Sequence, residues 1–152
     1  ALQSELDSLS KLQTIAKKNI EKTIENETND WTDKEANVGD VITLSNIYFV
    51  ANASFLQEKS YPELNKLVAY LKKHPDLKVE IGGHTNGLCD DDFCNDLSQR
   101  RGKEVMDYLI KNGINANRLT YKGYGKTKNI ADNVSEAGRK LNQRVEVKVL
   151  GK

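Results

Sequence analysis

Arg101 makes the strongest chemical demand of any residue in this chain. On a helix turning 100° per residue, Leu97, Val105, Tyr108 and Leu109 share one face and Arg101 falls in the middle of that arc, while Arg100 points nearly the other way. A guanidinium keeps its charge, so on an apolar stripe it must meet an anion or a ring of carbonyls. The chain carries five arginines, all between Arg100 and Arg144, against 18 lysines, so a rigid bidentate fork is used only in that half. Two roles suit Arg101: a clamp on a ligand carboxylate, or a structural salt bridge or snorkelling rim residue.

Ahead of that helix stands Gly83-His84-Thr85-Asn86-Gly87, where a strand end meets a helix start and α/β folds commonly place ligands. His84 has the right chemistry for a base or a metal ligand. The other histidine is His74, and no pair stands at metal spacing, so an imidazole that fixes the loop is the expected role. Asp90, Asp91 and Asp92 lack the alternating oxygens, central glycine and terminal Glu of a calcium loop, and they read as a solvated tip. No metal and no cofactor is expected. Cys89 and Cys94 form neither a CxxC motif nor half of a zinc set. They are either a local disulfide, expected if the compartment is oxidising and then worth ~2 kcal/mol of loop entropy, or two inert thiols. A nucleophilic cysteine served by His84 would lack an orienting third group, so no catalytic residue is expected.

The elements that must position these groups follow from periodicity. Leu2, Leu6, Leu9, Leu12, Ile15, Ile20 and Ile24 recur near helical spacing on a polar background, which predicts an amphipathic helix ending near Glu25. It reads as a linker helix lying on the domain or as one that pairs with a partner, although the heptad match fails at Gln13. A polar connection follows, and the first glycine, Gly39, marks a boundary: residues 1–39 as arm and linker, residues 40–152 as the domain. Val41 to Leu44 and Ile47 to Val50 are strand candidates, one of which should enter a sheet. Ser60, Pro62 and Glu63 predict a helix start, and Leu64, Leu67, Val68 and Leu71 its buried stripe as far as Pro75. Leu77 to Ile81 predicts a strand turning at Gly82 and Gly83. A helix from about Asp96 to Lys111 is closed by Gly113, and a strand follows over Leu119 to Tyr124. Ser135 caps a short helix to Leu141, and Arg144 to Val149 alternates as a final strand. This order predicts an α/β (α+β sandwich) fold with a parallel or mixed sheet and its helices on one face, preceded by the helical arm.

Composition narrows the function classes. At 152 residues there is room for one domain and an appendage. The net charge of +1 is too balanced for bulk attraction to a polyanion, so nucleic acid is not the expected partner. No apolar run approaches the roughly 18 residues of a spanning helix. Beginning at Ala1 and not Met, the sequence is expected to be a processed or excised piece, so the lack of a secretion signal is silent on compartment.

The segments "GGHTN", "LSQRRGKEVMDYLIKNGI", "RLTYKGYG" and "GRKLNQRVEV" occur in this order, with "IYFVANASF" upstream. In these segments, over roughly Ile42 to Val149, the chain resembles the OmpA-like peptidoglycan-binding domain family. The resemblance implies a βαβαβ-type mixed sheet whose first core strand falls in "IYFVANASF". It also implies a periplasmic, outer-membrane-attached, non-enzymatic module that holds the wall's stem peptide by its diaminopimelate residue. In the family an Asp and an Arg grip that residue. The Arg corresponds to Arg101, the Asp to Asn86, and a second acid to Asn52, so two carboxylates are replaced by amides. Leu97 corresponds to a pocket leucine, and Asn142 and Arg144 to the family's terminal block, in which Gln143 replaces an arginine. Cys94 and Asn95 stand where the family has Tyr followed by Asn. Implied partners are the stem peptide and a barrel or anchor module in cis, with a homo-oligomer through the N-terminal helix as a further possibility. The alternative is a degenerate member that serves as a structural or oligomerisation module without holding the wall.

Overall fold

Val145, Val147 and Val149 alternate with Glu146, Lys148 and Leu150, and this period of two makes the last strand a natural sheet centre: the valines are buried and the intervening residues face outward. The computed structural model describes Trp31, Thr32 and residues 35–152. The chain divides into two units, Ala1–Glu35 and Ala36–Lys152. The amphipathic helix expected between Leu2 and Ile24 lies outside the described residues.

Seven elements build the second unit: β1 (Val41–Leu44), α1 (Tyr61–Lys73), β2 (Lys78–His84), α2 (Asp91–Lys111), β3 (Leu119–Gly123), α3 (Glu136–Asn142) and β4 (Arg144–Gly151). The sheet order is β1-β4-β2-β3, with β4 antiparallel to both neighbours and β2 parallel to β3. It is the mixed sheet expected. Leu44, Val79, Ile81 and the three valines of β4 face the helices, whereas Glu80, Thr120 and Lys148 stand side by side on the open face. In α1, Leu64, Leu67, Val68 and Leu71 are buried as their spacing predicts, each worth about 1.5–3 kcal/mol. The α2 stripe of Leu97, Arg101, Val105 and Leu109 packs on β2 and β3, and Gly113 at φ +100° follows the helix in the left-handed region.

Four expectations need correction. Of the two strand candidates one enters the sheet, as expected, and it is Val41–Leu44 and not the segment the resemblance implied. Asn46, at φ +62°, turns the chain away, and Ile47–Phe55 contributes a lone bridge between Phe49 and Leu56 instead of the first core strand. Gly82 and Gly83 do not turn the chain. They continue β2 to His84, because a Cβ on Gly83 would collide with the Ser98 carbonyl of α2, and glycine lets the helix press that closely on the strand. The helix α2 begins at Asp91, five residues before the expected Asp96, because Asp90 caps it through a 2.8 Å bond from Phe93 N, and Asp91 and Asp92 suit the positive end of the helix. Ser60 precedes α1, but its hydroxyl does not cap that helix. It accepts from Tyr48 N at 2.7 Å and donates to Tyr48 O at 2.9 Å, tying the Tyr48–Ser60 loop shut at its base.

Candidate functional site

That loop supplies one wall of a cleft. Val50 N donates to Phe55 O at 2.9 Å, Ala53 N to Val50 O at 3.0 Å, and Asn52 takes φ +56°, a conformation asparagine tolerates better than most residues. The tight turn brings the Ala53 carbonyl over α2, where Arg101 Nε donates to it at 2.9 Å. The guanidinium carbon lies 4.8 Å from the centre of the Phe49 ring, within cation–π range. Arg101 is 7% exposed, and no carboxylate pairs with it among the described residues. Burial, with a smaller push from the Arg100 charge, lowers its pKa to about 10.

The other four arginines are spent within the protein. Arg118 donates to the carbonyls of Leu77, Leu71 and His74, and Arg139 to those of Asn133 and Val134. Arg144 donates to Glu146, Asn142 and Lys128, while Arg100 pairs with Asp96 on the surface at 2.8 Å. Arg101 differs in that its two terminal nitrogens have no hydrogen-bond partner among the described residues. Arg101 lines a cleft of about 730 Å³. A guanidinium with Nε anchored and both Nη groups free is set up for bidentate capture of a carboxylate.

Four of the six expected binding residues meet in this cleft: Asn52, Asn86, Leu97 and Arg101. Leu97 is buried beside Arg101 on the same helix face. Asn86 is half-buried, and its Oδ1 accepts from Leu88 N at 2.9 Å, which leaves Nδ2 as the group it can offer a ligand. The other two stand elsewhere. Asn142 is fully buried, accepting from Ile130 N and Ala131 N and donating to Ala131 O and the Asn133 side chain, so it pins the loop before α3. Arg144 borders a second, largely apolar hollow of about 640 Å³, which shares Phe49, Arg101 and Gln143 with the first.

Phe49, Thr85, Leu88, Asp90, Phe93 and Gln143 also line the first cleft. Thr85 stands in the loop the sequence marked for a ligand, Asp90 in the acidic run beside it, and Gln143 in the terminal block of the resemblance. Sequence reasoning missed Phe49, Leu88 and Phe93, and Phe49 arrives from a loop distant in sequence. Cys89 and Cys94 are joined as a disulfide, Cα to Cα 5.6 Å, which closes the loop at the cleft edge. His84 is 2% exposed and stacked on Tyr124 with ring centres 5.0 Å apart, its Nε2 lying 3.3 Å from Glu146 Oε2. Burial first, and the nearby Arg144 second, lower its pKa to about 4, so near neutral pH it is an uncharged packing group.

The chain is 37% identical over 103 residues to the outer membrane porin F of Pseudomonas fluorescens, covering 68% of this chain and 32% of the porin. It is 33% identical over 108 residues to the peptidoglycan-binding protein ArfA of Mycobacterium bovis, covering 71% of this chain and 33% of that protein. It thus spans about a third of the length of either relative. Among solved structures, the cell wall anchor of the T6SS from Pseudomonas aeruginosa superposes with a TM-score of 0.69 at 25% identity, covering 86% of this chain and 94% of that one. Residues 48–143 match the model of the OmpA family, a span that holds the Phe49 loop, the disulfide, Arg101 and Gln143, and the chain belongs to that family.

Proposed function

We propose that this domain is a non-enzymatic anchor that holds peptidoglycan non-covalently from the periplasmic side of the outer membrane, gripping the stem peptide at diaminopimelate. The observation that carries the reading is Arg101: a desolvated cation with no acid partner among the described residues, anchored by Nε to Ala53 O and lining an open cleft. A ligand carboxylate that takes both Nη groups forms two charge-assisted hydrogen bonds, each about 1.5–3 kcal/mol, enough for specific if modest affinity. Leu97, Phe49 and Phe93 give the aliphatic stem of diaminopimelate an apolar lining, and the side-chain amides of Asn86 and Asn52 meet the peptide main chain. The wall-binding relative and the wall-anchor structure support the same reading. Residues 1–39 then join the domain to a barrel or lipid anchor, or pair copies of the chain.

Sedimentation with purified sacculi tests this. Wild type should be retained and Arg101→Ala lost from the pellet while its circular dichroism spectrum stays that of the folded domain. A wild type that stays in the supernatant would refute wall binding and favour the structural module, the reading to which the two amides at Asn52 and Asn86 otherwise point.

A further inference from the structure

Diaminopimelate ends in an ammonium beside its carboxylate, and the amide at position 86 leaves that ammonium without the expected counter-charge. Two ionisable side chains with opposite charges line the cleft, Arg101 and Asp90, and its other lining residues are neutral. The acids near Asp90 are placed otherwise. Asp91 lies 3.5 Å from Lys126 Nζ, Asp96 pairs with Arg100, and Asp92 does not border the cleft.

We propose that Asp90 is the specificity-determining acid of this site, taking the ligand ammonium in the cleft that Arg101 also lines. The inference rests on the wall-binding reading above and adds the residue that reads the second charge. Asp90 is preorganised for the task. Its Oδ1 accepts from Phe93 N at 2.8 Å, its carbonyl accepts from Cys94 N at 2.9 Å, and the Cys89–Cys94 disulfide closes the turn around it. Its second carboxylate oxygen has no partner among the described residues, which leaves one anionic acceptor for an amine. The disulfide-closed loop thus carries the acid four residues beyond the position where the resemblance expects it.

Asp90→Asn is the informative variant, since asparagine caps helices as well as aspartate and α2 should keep its start. The probes are the tripeptide L-Ala-γ-D-Glu-meso-diaminopimelate and the same tripeptide acetylated on its free side-chain amine, titrated calorimetrically. Wild type should prefer the free amine by about 10-fold or more, the worth of one charge-assisted bond. Asp90→Asn should reduce that preference to less than about 3-fold while leaving affinity for the acetylated peptide unchanged. A preference that survives in Asp90→Asn, or an equal drop for both peptides, would overturn the role of Asp90 and leave Arg101 as the clamp. A wild type that binds neither tripeptide would overturn the wall-binding reading itself, and the assignment of Asp90 with it.

Discussion

Replacing Arg101 by methionine separates the two roles open to a buried arginine, because methionine keeps much of the aliphatic stem and leaves the Leu97–Val105–Leu109 stripe filled. The folded state holds the guanidinium at a pKa of about 10 instead of 12.5, a cost on the order of 3 kcal/mol from burial first and the Arg100 charge second. Against it stand the bond to Ala53 O, about 1.5–3 kcal/mol, and the contact with the Phe49 ring, about 0.5–2 kcal/mol. These nearly cancel, so Arg101→Met should change the unfolding free energy by less than about 1.5 kcal/mol in either direction. Binding should behave differently. Losing both Nη bonds removes at least about 3 kcal/mol, or more than ~100-fold in affinity. The matched control is Arg118→Met, which deletes three bonds to the carbonyls of Leu77, Leu71 and His74 and should cost about 3 kcal/mol of stability, with affinity per folded molecule intact. Urea unfolding followed at 222 nm and calorimetric titration with the tripeptide read the two quantities. If Arg101→Met destabilises the domain as much as Arg118→Met does, Arg101 is a brace and its charge is not held for a ligand.

Reduction of the disulfide should lower stability by ~2 kcal/mol, the loop entropy of so short a ring, and weaken retention on sacculi without unfolding the sheet; equal retention with and without reductant would contradict this. His84 binds its proton more weakly in the folded state than in the unfolded chain, so stability should fall as pH drops from 6.5 towards 4. His84→Phe preserves the stack on Tyr124 and should flatten that fall, and parallel pH–stability curves for the two proteins would count against a neutral buried imidazole. Gly83→Ala sets a methyl group against the Ser98 carbonyl and should cost at least about 3 kcal/mol or prevent folding, read from the urea midpoint; a near-neutral substitution would show that α2 does not depend on that close approach.

Arg101 was legible because its conflict is local. Helical phase follows from neighbours within three turns, so a charge on the stripe of Leu97, Val105 and Leu109 is visible from 13 residues of sequence. The caps at Asp90 and Ser60 show the limit of the same logic. Both residues have cap chemistry, but Ser60 is claimed by Tyr48, 12 positions away, and Asp90 lies ahead of the apolar run that marked the helix. Asn142 and Arg144 share one block of the family pattern, yet the first is consumed inside the fold and the second faces the neighbouring hollow.

From residue order alone came an α/β sheet, parallel or mixed, with its helices on one face, the buried valines of β4 and an arginine in want of an anion, because the elements show periodicities of two or 3.6 residues that any short window displays. Folding in three dimensions decided that the Nε of this arginine would be taken by a carbonyl 48 positions away while its Nη groups found no partner among the described residues. It also decided which acid of the Asp90–Asp92 run would border the cleft. Such pairings join segments whose separation along the chain carries no periodic signal, and close packing sets them only once the sheet and α2 have met.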